Sequence, residues 1–405
     1  MNFWTVIDVI DILLWVVMAA STFYVFFFSL ASLLPHRSLS KKQSAEAERK
    51  NFLVLFPAYH EDAVILNSVK TFLQQDYPAE CFQVAVVSDH MQADTNSQLA
   101  ALPVTLLQPT FDKSSKAKAL QYAVSHLSSL TSHLSPLTSH LYNYVVILDA
   151  DNVVGPDFLT RLNVECQKGY AAIQCHRTAK NVDNDIAALD GISEEINNSI
   201  FRLGHNRIGL SSALIGSGMC FGYDWFRDHV GQLDSAVEDR ELEALLLKQG
   251  VYIHYAEDIY VMDEKVSNSD NFQRQRLRWM TGQVQAFCRM LPYIPKAILT
   301  GNINYIDKTI QQALIPRSIL LLLVPLFTLV ATALSLLSPH QSSLKWWLLL
   351  ACLILAFIVA IPSRLRTRAI FTKAVALPGL VWKMLCNVFH INIADKEFLH
   401  TTHHT

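Results

Sequence analysis

Three long apolar stretches lie near the two ends of this chain, outside a central region in which short apolar and polar segments alternate. The first, Ile12–Leu34, contains no charged residue, and the others, Ile319–Leu337 and Leu344–Ile361, are separated by a short polar loop. About 20 apolar residues in a helix are enough to cross the hydrocarbon core of a bilayer. The pattern therefore predicts three membrane-spanning helices, of which the last two form a hairpin. A cleaved signal peptide is the alternative for the first stretch, although Asp8 and Asp11 precede it where a signal peptide carries basic residues.

Basic residues flank the predicted spans on one side of the membrane. They follow the first span at His36, Arg37, Lys41, Lys42, Arg49 and Lys50, and the last span at Arg364, Arg366, Arg368 and Lys373. Because cytoplasmic flanks carry an excess of Lys and Arg, we expect a multi-pass protein of the inner or plasma membrane with its central region in the cytosol. Pro292–Arg317, a segment of mixed polarity, is expected to form helices on the membrane surface. Ala369–Ile393 is expected to lie at the interface or to re-enter the membrane, with a full span as the alternative.

The central region alternates between strand-like and helix-like patterns. Three apolar runs predict strands, namely 52–62 (FLVLFPAYHED), which Pro57 should break, 82–90 (FQVAVVSDH) and 144–152 (YVVILDADN). Segments with helical spacing separate them, which predicts an α/β fold with a mostly parallel sheet and ligands at the carboxyl ends of its strands. The expected regions are 1–50, an N-terminal helix and basic linker; 51–292, a cytosolic α/β domain; and 293–405, surface helices, the hairpin and a cytosolic tail.

The composition agrees with one soluble domain attached to membrane segments. Hydrophobic residues make up 51% of the chain and the mean hydropathy is +0.23, which is high for a soluble protein and low for a pure membrane bundle. The 33 basic and 35 acidic residues give no reason to expect a nucleic-acid partner. The seven cysteines never form a C-x-x-C pair, which argues against structural zinc and a disulfide framework.

Two aspartates end the third predicted strand where a neutral turn would be usual. Asp149 and Asp151 are two residues apart, so they point to the same side of an extended chain. Two carboxylates this close repel each other unless a cation lies beside them, and Mg²⁺ and Mn²⁺ prefer oxygen ligands. The pair therefore predicts a divalent metal site. The alternative is a turn capped by acids ahead of Pro156, because D-x-D is common by chance.

Seven motifs extend this interpretation over nearly the whole chain. In order they are PAYHE (57–61), VVSDH (86–90), KAKALQ (116–121), LDADN (148–152), GSGMCFGY (216–223), VEDRELEALLLKQG (237–250) and QRLRW (275–279). In this order they resemble the membrane-bound family-2 glycosyltransferases, which include cellulose, chitin and hyaluronan synthases and chitooligosaccharide synthases. The resemblance implies a GT-A type nucleotide-sugar-binding domain and a role for Mg²⁺ or Mn²⁺.

The resemblance also assigns roles to individual residues. For the nucleotide sugar it implies Tyr59, Glu61, Asp89, Lys116, Asp149, Gln275 and Arg278. For the metal it implies Asp151 with Asp149 beside it; for catalysis, Asp239 as general base with Glu238 next to it; and for the acceptor, Trp279, Gly216, Ser217 and Gly218. On residue pattern alone, Glu238 and Asp239 are equally compatible with ordinary acids at a helix start. The alternative for Lys116 is a solvated lysine, and the alternative for QRLRW is an Arg-Trp anchor at the membrane edge.

We therefore expect an inverting, metal-dependent transferase that moves a sugar from a nucleotide sugar, a UDP-hexose or UDP-N-acetylhexosamine, to a growing glycan at the membrane. The rivals are a single-addition enzyme acting on a membrane lipid and an inactive membrane scaffold on the same fold. His60, Ser88 and Ala117 depart from the commoner family residues, which leaves the donor sugar open. Three spans are too few for a wide channel, so a translocated product would require a homo-oligomer or an export partner.

Overall fold

The computed structural model describes residues 3–35, 48–132, 141–181, 184–235, 237–265, 269–337 and 342–366. The basic residues between positions 36 and 42 lie outside the described residues, as does the segment Ala369–Ile393.

An eight-stranded sheet forms the centre of the α/β domain. Its strands are β1 (Phe52–Tyr59), β2 (Phe82–Asp89), β3 (Thr105–Leu107), β4 (Tyr144–Ile147), β5 (Val153–Val154), β6 (Ala172–Ala179), β7 (Met219–Gly222) and β8 (Ile253–Asp263). They are arranged in the order β3-β2-β1-β4-β7-β6-β8-β5. Strands β1 to β4 are parallel to one another and β6 is parallel to β8, whereas β7 is antiparallel to both of its neighbours. The prediction of an α/β fold with a mostly parallel sheet is confirmed.

Helices cover both faces of this sheet and extend beyond it. In chain order they are α1 (Phe3–Ala31), α2 (Ile65–Phe72), α3 (Ala93–Ala100), α4 (Lys116–Ser132), α5 (Phe158–Gln167), α6 (Asp185–Asn197), α7 (His205–Arg207), α8 (Tyr223–His229), α9 (Glu238–Lys248), α10 (Ser269–Met290), α11 (Ile294–Leu299), α12 (Ile303–Ala313), α13 (Arg317–Leu337) and α14 (Leu344–Ala360). One π-helical turn, Asn198–Gly204, continues α6 into α7.

Successive side chains along each strand point to opposite faces of the sheet, and this divides the core into two halves. In β1, Leu53 and Leu55 face the cluster beneath α4, α8 and α9, while Val54 and Phe56 face the cluster beneath α2 and α5. These four side chains are fully buried, as the period of two requires for a strand covered on both faces. The sheet is thus a rigid floor, and its carboxyl ends carry the acids that the sequence singled out.

Pro57 does not break the first strand, so that expectation was wrong. Strand β1 continues through Pro57 to Tyr59 and pairs with β2 along its whole length. On the other side, the last pair with β4 is Leu55 with Ile147, so Pro57 lies where β1 has a partner on one side only. A proline without an N–H is tolerated in a strand at such a position. The strand therefore delivers Tyr59 to the same edge as Asp89.

Three apolar helices pack together beside the domain. Helices α1 and α13 are long and apolar enough to cross a membrane, and α14 is a shorter apolar helix. This gives weak support to membrane association, and two of the spans have nearly the predicted bounds. The first helix differs, because it begins at Phe3 and so includes Asp11, whose carboxylate pairs with Lys345 (2.5 Å) and Trp346 (2.7 Å) of α14. An acid that was expected to precede the span instead joins α1 to the start of α14.

Helix α1 also approaches the α/β domain closely at the π-helical turn. The His205 ring stacks on Phe28 with centroids 3.6 Å apart, and the Tyr24 hydroxyl lies 2.9 Å from both His205 Nε2 and Asp307 Oδ1. Gly204 permits this approach, because a Cβ atom there would lie 2.2 Å from the backbone oxygen of Phe28. The apolar helices are therefore docked on the domain by specific contacts.

Gly204→Ala is expected to destabilise the protein by about 1–3 kcal/mol, the range for an added methyl group in a packed interior. The physical reason is that α1 must shift away from Gly204 to relieve the clash. Thermal unfolding of the purified chain in detergent measures the loss. Gly231→Ala is the matched control, because a Cβ atom at Gly231 meets nothing within 4 Å. Equal midpoints for the two variants would contradict the close approach.

Candidate active site

A cavity of about 770 Å³ opens at the carboxyl ends of β1, β2 and β4. All of the residues that the sequence implicated line it, except Ser217 and Gly218. Residues from seven separate segments, spread from Tyr59 to Trp279, thus lie around one space. Such a concave site with converging polar groups is typical of a small-molecule binding site.

A turn after β4 brings Asp149 and Asp151 to this cavity. The side chain of Asn152 holds the turn: its Oδ1 accepts from the Asp149 N–H (2.9 Å) and its Nδ2 donates to Asp151 Oδ1 (3.0 Å). The Ser217 hydroxyl donates to the same Asn152 Oδ1. Ser217 therefore stabilises the aspartate turn through Asn152 and does not line the cavity, whereas the motif resemblance had assigned it to the acceptor.

A third carboxylate joins the pair. Asp263, the last residue of β8, accepts a hydrogen bond from Asn152 Nδ2 (3.2 Å), and ligand atoms of Asp149, Asp151 and Asp263 all lie within 4.8 Å of one another. An all-oxygen set of carboxylates suits Mg²⁺ or Mn²⁺ rather than a softer ion. These three residues could hold a divalent metal ion.

Basic side chains surround the three acids. Lys265 Nζ lies 2.8 Å from Asp263 Oδ2, and Arg177 Nε lies 3.7 Å from the same oxygen. Burial alone would lower the pKa of Arg177, but Asp263 and Glu194 outweigh it and raise that pKa. Cationic groups at this point can compensate the negative charge of both the acids and a bound phosphate.

Lys116, the first residue of α4, connects the metal acids with the start of α9. Its ammonium group donates to Asp149 Oδ1 and to the Gly216 carbonyl (2.6 Å), and it lies 3.4 Å from Glu238 Oε1. Burial would lower its pKa, but Asp149 and Glu238 raise the pKa above the ordinary value. Lys116 is therefore a fixed cation inside the site, and the alternative of a solvated lysine is wrong.

Glu238 and Asp239 open α9 at the rim of the same cavity. A Cβ atom on Gly216 would lie 3.8 Å from Asp239 Oδ2, Glu238 Oε1 and Lys116 Nζ, so these three groups surround one glycine. Glu238 is buried, which raises its pKa. Asp239 is partly exposed; its Oδ1 accepts from the Arg240 N–H (2.8 Å).

The motif QRLRW lies on α10, where Arg276 and Arg278 diverge as helical spacing requires. Arg276 ion-pairs with Asp190 of α6, and its guanidinium lies 4.4 Å from the centre of the Trp279 ring. Burial lowers the pKa of Arg278, while the acids at positions 238 and 239 oppose this shift. Among the described residues, none hydrogen-bonds the buried Oε1 of Gln275.

The far end of the cavity is formed where β1 and β2 end. Tyr59 and Glu61 line it together with Asp89, whose Oδ1 lies 2.6 Å from His90 Nδ1. His60 and His90 follow the two strands in the left-handed region, at φ 53° and 55°. Positive φ is uncommon outside glycine and often marks a functional site.

Gly218 lies behind the cavity rather than at it. Its φ is +64°, its carbonyl accepts from the Cys175 N–H (2.7 Å), and its N–H donates to the Ile147 carbonyl (2.9 Å). It thereby links β4 to β6 beneath the site. Of the glycine-rich motif, only Gly216 reaches the cavity.

Asp263, Lys265 and Arg177 were not found from the sequence. The signal that could have revealed Asp263 is the one that revealed Asp149, because YVMDEK (260–265) is also a strand that ends in acids. Arg177 lies within β6, where nothing in the local pattern distinguishes it from an ordinary polar strand residue.

Comparisons with known proteins agree with this geometry. The sequence model of glycosyl transferase family group 2 matches residues 144–361, more than half of the chain, and that of glycosyl transferase family 2 matches residues 53–227. This chain belongs to the family-2 glycosyltransferases. A search of curated proteins found no match.

One solved structure with a TM-score above 0.5 shares the GT-A-like fold of this family-2 glycosyltransferase. The mannosyltransferase PcManGT from Pyrobaculum calidifontis, solved with GDP-Man and Mn²⁺, is 17% identical over 87% of this chain and 97% of its own, with a TM-score of 0.53. TarS 1-349 of S. aureus is 14% identical over 84% of this chain and 89% of its own, with a TM-score of 0.40. Glucosyl-3-phosphoglycerate synthase from Mycobacterium tuberculosis is 16% identical over 55% of this chain and 74% of its own, with a TM-score of 0.36.

Proposed function

We propose that this family-2 glycosyltransferase is an inverting, metal-dependent enzyme of the inner or plasma membrane. It transfers a hexose or N-acetylhexosamine from a UDP-sugar to an acceptor hydroxyl and forms a β-linkage, with region 51–292 in the cytosol. The observation that carries the proposal is that one cavity contains a carboxylate triad, Lys116 and Asp239. A metal-diphosphate site and a base beside it are the two parts that glycosyl transfer requires.

The donor occupies the end of the cavity between β1, β2 and β4. Tyr59 offers a face to the nucleobase, and Asp89 with Glu61 accepts hydrogen bonds from the base and ribose. Arg278 can bind phosphate oxygens with its planar guanidinium, and Gln275 lies one helical turn earlier on α10. The neighbour PcManGT holds GDP-mannose, so that donor is the principal rival to a UDP-sugar.

Asp149, Asp151 and Asp263 would hold Mg²⁺ or Mn²⁺ between them. The bound metal supplies positive charge to the leaving diphosphate. Lys116 already lies against Asp149 and supplies a second, fixed positive charge at the same place. The Lys116 charge favours the departure of the nucleoside diphosphate.

Asp239 acts as the general base in a single displacement. The acceptor oxygen forms a bond to the anomeric carbon as the bond from that carbon to the diphosphate oxygen breaks, and the departing diphosphate keeps the electron pair. The acceptor proton goes to the Asp239 carboxylate. Attack opposite the leaving group turns an α-linked donor into a β-linked product. Trp279 offers its ring to the acceptor beside the base, as aromatic faces do for sugars.

Either a growing glycan or a membrane lipid can supply the acceptor hydroxyl. Three apolar helices do not enclose a wide channel, so export of a long product would require a homo-oligomer or a separate partner. Membrane lipids would surround α1, α13 and α14. No role for nucleic acid follows from the near-neutral charge of the chain.

A donor screen tests this function directly. The purified full-length chain is incubated with UDP-glucose, UDP-N-acetylglucosamine, UDP-galactose and GDP-mannose, and nucleotide release is measured with Mn²⁺ and with excess EDTA. We expect one UDP-sugar to give Mn²⁺-dependent release, since the triad would hold a metal ion that compensates the charge of the diphosphate. Preference for GDP-mannose would show that the donor is not a UDP-sugar and would leave the rest of the proposal in place. Absence of both release and Mn²⁺-dependent binding with every donor would support the inactive scaffold instead.

A further inference from the structure

The active-site cavity has an apolar arm that the proposed donor chemistry does not use. Beyond Trp279 the cavity continues between α6, α13 and α14. Its walls there are apolar and come from Ile192, Ile196, Leu321, Ile354, Phe357, Ile358 and Ile361. We call these residues the apolar arm. A nucleotide sugar is polar and charged, so these apolar walls suit a different ligand from the donor.

Helix α6 connects the arm to the site by direct contacts. At the site, Asp190 pairs with Arg276, which lies over the Trp279 ring. One and two turns further along α6, Ser193 and Asn197 accept hydrogen bonds from the Arg317 guanidinium at distances of 2.6–2.9 Å, which fixes the first residue of α13. The arm therefore starts next to the residue assigned to the acceptor and is held at a fixed place relative to it.

The neighbouring face of α6 contributes Ile192 and Ile196 to the wall of the arm. Ile196 belongs to a buried apolar cluster with Val25 of α1 and Ala356 of α14, and Ile192, Phe357 and Ile361 pack against it. This cluster is the floor of the arm, because Val25 and Ile196 also line the cavity. The arm lies between the α/β domain and the three apolar helices, so its contents are in contact with both.

The arm is open on the side that a membrane would cover. Ile354 and Ile358 line the arm and yet expose 50% and 44% of their surface. They lie on α14, whose exposed side chains are apolar along its length, with Leu348 and Leu355 also on its surface. Apolar surface of this extent is stable beside lipid and costly beside water. A hydrocarbon chain can thus pass from the bilayer into the arm without crossing water.

We propose that the apolar arm binds the hydrocarbon chain of the acceptor, so that the substrate class is a lipid with a hydroxylated or sugar head group. The inference rests on the proposed function and decides between its two acceptors. The head group lies at Trp279 and Asp239, and its chain runs past α6 between α13 and α14. A free glycan gains nothing from walls of Ile and Phe, whereas a lipid chain matches them. For an acceptor taken from water, each methylene buried in the arm strengthens binding by roughly threefold to fourfold.

Alkyl β-glucosides of different chain length test the arm. Transfer to ethyl and decyl β-glucoside, both below micelle-forming concentrations, is measured with the full-length chain in phosphatidylcholine nanodiscs and the donor found by the screen. We expect the KM for the decyl compound to be at least 100-fold lower than that for the ethyl compound. Ile358→Trp fills the arm and should reduce this ratio at least tenfold. Mn²⁺-dependent donor binding by calorimetry shows that the variant is folded.

Leu355→Trp is the matched control for Ile358→Trp. It introduces the same side chain on the same helix at a residue with 46% exposure, but Leu355 does not line the cavity. The control should keep the wild-type KM ratio, which also corrects for partitioning of decyl glucoside into the bilayer. Equal KM values for the two glucosides, equal effects of the two Trp variants, or donor turnover without transfer to any glucoside would overturn the lipid acceptor. Failure of the wild-type chain to bind any donor would instead contradict the proposed function.

Discussion

Asp239→Asn should lower the turnover number by about 10²–10⁴-fold, which is the usual contribution of a general base. The amide has the same shape as the carboxylate and can still accept from the Arg240 N–H, but it cannot take the acceptor proton. Because Asp239 is not one of the three metal acids, Mn²⁺-dependent binding of the nucleotide sugar should remain. Steady-state kinetics with the preferred donor give the turnover number, and calorimetry gives the donor affinity.

A helix-start acid without a catalytic role is the alternative for Asp239, and Asp224 provides the control. Asp224 lies in the first turn of α8, where it pairs with Arg227 at the surface (2.9 Å). Asp224→Asn therefore removes the same type of helix-terminal charge away from the cavity, and it should change turnover less than twofold. If the two variants lost similar activity, or if Asp239→Asn lost donor binding in proportion to turnover, Asp239 would not be the base.

Glu238 has a different environment although it is the neighbouring acid. It is buried and faces Lys116, and burial raises its pKa. Asp239 keeps part of its surface open to the cavity, on the side of Gly216. The structure thus separates two carboxylates that the E-D motif presents together: Glu238 lies against Lys116, whereas Asp239 is the acid that we propose as the base.

Local sequence patterns predicted the parts of the site that follow strands. Tyr59, Asp89 and Asp149 come at or just after strand ends, and a parallel sheet brings such positions to one edge. Asp239 and Trp279 required the motif resemblance, because a helix-start acid and an Arg-Trp pair have ordinary structural explanations. The order of elements and the mostly parallel sheet followed from the alternation of apolar and polar segments.

Other features depend on contacts between distant segments and could not be inferred from local patterns. Whether Pro57 interrupts β1 depends on where β4 stops pairing, which only the assembled sheet determines. The role of Ser217 depends on Asn152 lying beneath it. The contact of α1 with the domain at Gly204 joins residues far apart in the chain, and the apolar arm needs α6, α13 and α14 together.

Asp263→Asn should reduce Mn²⁺-dependent turnover by about 10²–10³-fold at low Mn²⁺, with partial recovery as Mn²⁺ is raised. Metal stabilisation of a leaving group is worth several kcal/mol, and each 1.36 kcal/mol is tenfold in rate. The substitution leaves an oxygen that can accept from Asn152 and removes one of three negative charges at the metal site. Turnover measured over a Mn²⁺ titration, after EDTA treatment, reports both the loss and the shift in metal dependence.

Asp258→Asn is the control for Asp263→Asn, since it removes an exposed carboxylate from the same strand, β8. It should leave the Mn²⁺ dependence unchanged. The comparison also distinguishes a metal ligand from a partner of Lys265, because Asp263 contacts both the triad and the Lys265 ammonium. Loss of a metal ligand shifts the Mn²⁺ concentration needed for half-maximal turnover. Loss of a purely structural ion pair lowers the unfolding temperature at every Mn²⁺ concentration. A variant with reduced thermal stability and an unshifted Mn²⁺ titration would therefore remove Asp263 from the metal site and leave Asp149 and Asp151 as the only protein ligands expected there.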